Sequence, residues 1–309
     1  MDAAAGLLGG ALQTIATVSP WLLGIAVSLH LLKVAAEARA WHGIVAHAHG
    51  PSLVRFRTTL GAFVGSIGAN AFLPARVGEA FRVGVLRRRV PGSSVATIAA
   101  TIVLETLLEL AFAAAVIAAL LVGGRSVGPL GLSAGGFLAQ PLVLGAGAAL
   151  LVLGVLLAIV FRRPAAELGR RMARGFSVVG APQAFASVCG WKITAWTLRI
   201  ACVLVFLLAF HVPATIWTAL VVIGAQSVAG ALPVVPGNAG TQQAAFAVVL
   251  AGTAGAATVL GFGVGMQAAT ALADVVAGVG AVALVAGGAD LRAALSMIRG
   301  RRPPRATTA

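Results

Sequence analysis

Asn70-Ala-Phe-Leu-Pro-Ala-Arg-Val-Gly-Glu-Ala-Phe-Arg82 decides how this chain is read, together with a second stretch, Leu232-Pro-Val-Val-Pro-Gly-Asn-Ala-Gly-Thr-Gln-Gln243. Each places Leu-Pro-x-x-x-Gly after an apolar run long enough to enter a bilayer. Proline lacks an amide donor and glycine tolerates unusual dihedrals, so both stretches predict a broken helix. Broken helix at membrane depth exposes backbone groups, which are tolerated only when buried in protein or lining a wet cavity. Two such breaks in corresponding places are the sequence pointer to a transport site.

The composition requires a membrane setting. The 309 residues are 60% hydrophobic and 10% charged, with a mean hydropathy of +1.01. Soluble domains carry about 25% charged residues. The formal net charge of +14 falls in clusters between apolar runs. That pattern fits cytoplasmic loops facing anionic lipid and argues against nucleic-acid binding. Met1-Asp-Ala-Ala-Ala has no basic region before the first apolar stretch, so no cleaved signal peptide is expected. Cys189 and Cys202 fall in one predicted helix, too far apart to bridge. His42, His47 and His49 read as a solvated loop without a carboxylate or thiol cluster, so no metal is expected. Trp21, Trp41, Trp191 and Trp217 stand near the ends of apolar runs, as interface anchors would.

Candidate spans are 18–36, 57–75, 93–122, 136–161, 187–211, 213–232 and 255–287, with shorter pieces at 77–90 and 241–252. Basic residues cluster at Arg39, Arg55 and Arg57, at Arg82 and Arg87–Arg89, at 162–174, and beyond Arg292. Keeping all four clusters on the cytoplasmic side requires 57–75 to enter, break between Pro74 and Gly78, and return through 77–90. The region 212–254 contains no charged residue and reads as a hairpin entering from the opposite side. The N-terminus is then outside and the C-terminus cytoplasmic, in a multi-pass protein of the plasma membrane.

The predicted fold is an all-α polytopic integral membrane protein, built as an inverted repeat of spans with two re-entrant broken-helix hairpins. One transmembrane domain covers 1–290, with a first repeat at 18–122, a connector at 136–161 and a second repeat at 187–287. The basic tail 291–309 is expected to be disordered. At one fixed offset Gly65, Leu73, Pro74, Gly78 and Ala80 match Gly224, Leu232, Pro233, Gly237 and Ala239. Pro74, Gly78, Pro233, Pro236, Gly237 and Gly240 are the expected hairpin residues.

The chain resembles the transmembrane region of the lysylphosphatidylglycerol synthase family, a flippase-like membrane domain. Three motifs carry the resemblance: Arg39-Ala-Trp41, Asn70 through Arg82, and Pro236-Gly-Asn-Ala-Gly240. The second is the specific one. Two departures stand out. Where the family often has Glu-Arg-x-x-Asp, this chain has Glu105-Thr-Leu-Leu-Glu109, and where it often has Glu after the second turn, this chain has Gln242 and Gln243. The stretch after 287 is too short for the family's soluble aminoacyl-transfer domain, so lysyl-lipid synthesis is not expected.

Charges within spans cost several kcal/mol unless paired or hydrated, and mark functional sites by default. Glu105 and Glu109 share one helix face, Arg199 is central in 187–211 and Asp274 is central in 255–287. Either Arg199 pairs with one of these acids as interhelix glue, or the group lines a headgroup cavity; the two are compatible. Two neighbouring acids with few bases would share a proton. Arg76, Glu79 and Arg82 flank the first break, where arginine forks suit phosphate, or pair among themselves and with cytoplasmic lipid. Lys33 and Glu37 are spaced for a local ion pair, and Lys192 is expected to snorkel to the inner interface. The candidate headgroup contacts are completed by Asn70 in the first hairpin and by Asn238 and Gln242 in the second.

The resemblance implies a lipid flippase or transporter-like protein for an amphiphile with a phosphate-containing headgroup. Membrane lipid is the implied partner, joined by a lipid-modifying enzyme if the chain serves as its accessory subunit. The other class is a membrane enzyme acting on a lipid-linked substrate, with Glu79 as base. No nucleotide-binding motif is present, no cofactor is implied, and a non-enzymatic role is favoured.

Overall fold

The computed structural model describes residues 2–72, 77–122, 172–230 and 238–298. The connector 136–161, the break residues Pro74, Arg76, Pro233, Pro236 and Gly237, and the tail from 299 lie outside the described residues. Apart from one isolated bridge between Ala251 and Ala254, the regular structure among the described residues is helical.

The helices are α1 Asp2–Ala16, α2 Pro20–His49, α3 Phe56–Phe72, α4 Val77–Arg89, α5 Val95–Val122, α6 Pro182–Ala209, α7 Ile216–Gly230, α8 Thr241–Val249 and α9 Ala256–Ile298. A 3-10 turn, Ser177–Gly180, precedes α6. Among the described residues, four helices are long and apolar enough to cross a membrane: Pro20–His49, Val95–Val116, Pro182–Ala209 and Ala256–Ala283. The protein is therefore an all-α multi-pass membrane protein. The order long, short, short, long occurs twice, as α2–α5 and as α6–α9.

Local chemistry sets the helix ends. Pro20 and Pro182 open α2 and α6 in the first turn, where a missing amide costs nothing. Gly50, with φ of 96°, closes α2 in a conformation that side chains disfavour. Gly240, with φ of 86°, precedes α8, and its N–H donates to Gln243 Oε1 at 2.8 Å.

Helix contacts in lipid rest on close packing, because the surrounding tails are as apolar as the side chains. Helices α2 and α6 run antiparallel: Gly43 meets Val188 near one end, and Cys202 Sγ–H donates to Ala26 O at 3.3 Å near the other. Helices α3 and α4 form an antiparallel hairpin, with Gly65 against Phe81 and Ser66 against Arg82. Asn70 Oδ1 accepts the Gly78 N–H at 2.7 Å and ties the two arms beside their connection. A Cβ at Gly78 would collide with Ser66 O. Gly78 lies in the first turn of α4, so its glycine is required for close approach and not for an unusual dihedral.

The α3–α4 hairpin leans on α9. An added Cβ on Gly68 would lie 3.0 Å from the Gly278 Cα and 2.9 Å from Asp274 O, which leaves no space for a side chain between the backbones. One apolar cluster joins Trp41, Phe63, Leu86, Ile98 and Ala281 around this hairpin. A larger one, with Phe206, Phe210, Phe246 and Phe262, packs α6 and α7 against α8 and α9.

The end of α2 meets the starts of α3, α5 and α6 at one end of the bundle. Arg39 lies over Phe56 and Trp191, His42 Nδ1 is 3.0 Å from Thr59 Oγ1, and Gly175 packs on Thr97 and Ala100. The hairpin thus returns the chain to the end from which α3 starts.

Three expectations are corrected. Residues 2–16 form a helix, too short for the span criterion and therefore missed; it packs on α9 through Gly10 and Gly261. His42, His47 and His49 belong to the last turns of α2, because nothing in the alanine-rich run interrupts the helix before Gly50. Trp41 is fully buried against Phe63 and Arg82, and so is no interface anchor.

Two outcomes check this fold. Gly78→Ala should destabilise the protein by about 1–3 kcal/mol in detergent unfolding, because the added methyl overpacks the hairpin. Gly84→Ala on the same helix meets nothing within 4 Å and should be neutral or mildly stabilising. Separately, single cysteines at Arg57 and Arg88, in a cysteine-free background, should label from one side of a proteoliposome. Labelling from opposite sides would mean that α3 crosses and α4 does not bring the chain back.

Candidate functional site

Glu105 and Glu109 stand one turn apart on α5, and Lys192 and Arg199 stand two turns apart on α6. The spacing puts each pair on one face of its helix, and the two faces meet. Lys192 Nζ lies 2.9 Å from Glu105 Oε1 and 3.1 Å from Glu109 Oε2. Arg199 Nη1 adds a contact to Glu109 Oε1 at 3.2 Å, and Arg82 Nη1 reaches Glu105 Oε2 at 3.4 Å. The result is a continuous alternation: Arg82, Glu105, Lys192, Glu109, Arg199.

Neutral groups and rings finish both ends. Arg82 Nε donates to Ser66 Oγ at 2.7 Å, and its guanidinium lies over Phe63 and Trp41, 4.1 and 5.2 Å from the ring centroids. Arg199 Nη2 donates to Gln226 Oε1 at 3.4 Å, and its guanidinium lies 4.9 Å from the centroid of Trp196. Phe112 stacks on the same indole. The chain of charges thereby links α3, α4, α5, α6 and α7 and rests on α2 through Trp41.

Exposure grades along it. The Lys192 side chain is 0% exposed and that of Arg82 8%, whereas Glu109 is 31% and Arg199 19% exposed. The Arg82–Lys192 part is therefore the more buried, and the Glu109–Arg199 end is partly exposed. Three cations face two carboxylates, so the chain carries one surplus positive charge.

Several expectations need revision. Lys192 does not snorkel: α6 begins at Pro182, about three turns earlier than an interfacial lysine would need, and the ammonium is held between two acids. The premise of few bases beside Glu105 and Glu109 also fails, because each carboxylate contacts two cations. Arg199 pairs with Glu109; Asp274 instead sits 2.7 Å from His30 Nε2, on the α2–α9 contact. Lys33 and Glu37 do pair, at 3.3 Å.

Of the other candidates, Asn70 is engaged in closing the first hairpin. Glu79 is in the first turn of α4, and its Oε2 is buried without a hydrogen-bond partner. Asn238 takes φ of 57°, which asparagine tolerates, and its carbonyl accepts from Thr241 Oγ1. Gln242 is partly buried in α8, whose neighbouring Gln243 Nε2 donates to Gln267 Oε1 on α9. The structure thus brings Arg82, Glu105, Glu109 and Arg199 together, leaves Asn238, Gln242 and Gly240 at the start of α8, and sets Asp274 apart.

Lys192, Trp196, Gln226 and His30 complete these contacts and had not been assigned to them. The seven-residue spacing of Lys192 and Arg199 would have found the first. His30, Lys33 and Glu37 lie on one face of α2 at three- and four-residue steps, which would have found the last.

The chain belongs to the family described as Lysylphosphatidylglycerol synthase TM region, which matches residues 7–278. Comparison with curated proteins and with solved structures returned no match.

Lys192→Met should cost about 3–5 kcal/mol in detergent unfolding, because it leaves the largely buried Glu105 and its neighbour Glu109 without their shared cation. The double variant Lys192→Met/Glu105→Gln should recover a large part of that loss. Wild-type stability in Lys192→Met alone would mean that the ammonium contributes nothing to holding α5 on α6.

Proposed function

We propose that this membrane protein is flippase-like, binding and moving an amphiphile whose polar headgroup carries phosphate. The observation that carries the reading is the buried alternation Arg82–Glu105–Lys192–Glu109–Arg199, with one cation more than its acids can neutralise and one end partly exposed. Charge at membrane depth is costly, and an anionic group arriving at the partly exposed end offsets the surplus. Guanidinium matches phosphate oxygens in a bidentate fork, whereas a point charge such as ammonium does not. Arg199 is the partly exposed arginine of the chain and so the contact for phosphate; Arg82, spent on Ser66 and Glu105, anchors the other end.

Family membership supports a membrane role without a catalytic step. In this reading α3–α4 and α7–α8 are re-entrant hairpins, related as an inverted repeat, and Asn238 and Gln242 face the polar part of the lipid from the second. The protein sits in the plasma membrane with its basic end cytoplasmic, its N-terminus outside and its C-terminus inside. Movement is driven by a gradient or by mass action, since the sequence carries no nucleotide-binding motif.

A second reading rests on Glu79. A buried carboxylate oxygen without a hydrogen bond is what a general base awaiting a substrate proton would present. It would make the chain a membrane enzyme, or the partner subunit of one, acting on a lipid-linked substrate.

Reconstitution separates the two. Liposomes containing the protein and a fluorescent phosphatidylglycerol should lose the signal of inner-leaflet label to external dithionite faster than empty liposomes. Arg199→Gln should abolish the acceleration, whereas Arg88→Gln, at the exposed end of α4, should leave it intact. Equal damage by both would reduce the basic residues to general attraction for anionic lipid. Chemical turnover of the lipid without translocation would favour the Glu79 reading.

A further inference from the structure

Both arginines that end the chain of charges lie over a tryptophan whose indole N–H has no acceptor. Trp41 is 0% exposed and Trp196 5%, and both Nε1 atoms are buried without a hydrogen-bond partner. A buried donor left unmade costs free energy, so each such group in a native structure calls for an explanation. At the Arg82 end no outside acceptor has access: the guanidinium is satisfied by Ser66 and Glu105, and its side chain is 8% exposed. At the Arg199 end the surroundings are more open. There the neighbouring guanidinium and Glu109 are partly exposed, and Arg199 Nη2 has only the long bond to Gln226.

We infer that Trp196 and Arg199 together form an oxyanion site for phosphate, with the indole N–H as its specificity-determining donor. The guanidinium lies over the indole ring, so the N–H at the ring edge and the guanidinium N–H groups occupy different layers. A tetrahedral phosphate has oxygens in more than one plane and takes donors from both layers. A planar carboxylate uses a single fork and leaves the indole unpaired. Phe112 stacks on the indole, and Gln226 holds the second guanidinium nitrogen until the anion replaces it. This inference rests on the proposed binding of a phosphate-bearing amphiphile and assigns the group that distinguishes phosphate from other anions.

Titration of the purified full-length chain in nonionic detergent with dihexanoyl phosphatidylglycerol tests it. Trp196→Phe keeps a ring beneath the guanidinium and removes the donor; its affinity should fall roughly tenfold or more, the loss of a hydrogen bond to a charged group. Trp41→Phe should bind as the wild type does. Gln226→Glu, which places a second carboxylate on Arg199 with little change of shape, should weaken binding comparably and keeps the test valid if Trp196→Phe folds poorly. Competition by inorganic phosphate would identify phosphate itself as the recognised group, and its failure the lipid-borne headgroup; either supports the site only if Trp196→Phe is the weaker binder. Unchanged affinity in Trp196→Phe, whatever Gln226→Glu does, or equal losses in Trp196→Phe and Trp41→Phe, overturns the inference while leaving lipid binding in place. A wild-type protein that binds no phosphatidylglycerol overturns the proposed function and this site with it.

Discussion

The Lys192 ammonium, fully enclosed between Glu105 and Glu109, is the constraint on which the rest of the bundle depends. An ammonium cannot be left alone in a low-dielectric interior, and neither can two carboxylates one helical turn apart. Each requires the other, so α5 and α6 are fixed in one register. The remaining charges follow from that register. Two acids and one base leave a deficit, which Arg82 and Arg199 more than fill from either end. The arrangement is one cation in excess, which is the basis of the proposed anion site.

Close backbone packing makes this alternation reachable. Arg82 meets Glu105 because α4 is pressed against α3 at Gly65 and Gly78, and α3 against α9 at Gly68 and Gly278. Side chains at those positions would push the hairpin outward and carry Arg82 away from its partner. Steric fit and electrostatics are therefore coupled here: glycine supplies the approach, and the charges set the register. Trp41 and Trp196 then cover the two terminal guanidiniums, one buried and one partly exposed.

Much of this was legible in the sequence. Helix order from α2 onward and the bounds of α3, α4 and α5 follow closely from apolar length, proline and glycine, whereas α1 was missed and α2, α6 and α9 run past their expected ends; the Asn70–Arg82 motif marks the first hairpin and the family. Glu105, Glu109 and Arg199 stand out as charges in apolar runs. Lys192 was misread because its depth depends on where α6 starts, and Pro182 starts it earlier than hydropathy suggests. The choice of partner for Arg199 was open between Asp274 and two glutamates, since sequence does not say which helices face each other; the Glu109 side chain on α5 reaches that face of α6, and Asp274 turns to His30 on α2. Trp41 looked interfacial by position, but α2 continues to His49 and takes it inside. Gly78 was read as a dihedral requirement, and only the antiparallel packing of α3 on α4 shows that it is a steric one.

Infrared spectroscopy of the glutamate carboxyl groups tests the central claim most directly. The protein would be labelled with ¹³C-carboxyl glutamate, reconstituted in lipid, and compared with Glu105→Gln and Glu109→Gln to assign the bands. Both groups should absorb as ionised carboxylates in the wild type, and removing the ammonium with Lys192→Met should convert one of them to the protonated acid. A protonated carboxyl at either position in the wild type would contradict the account, because the interior would then hold a shared proton in place of five alternating charges.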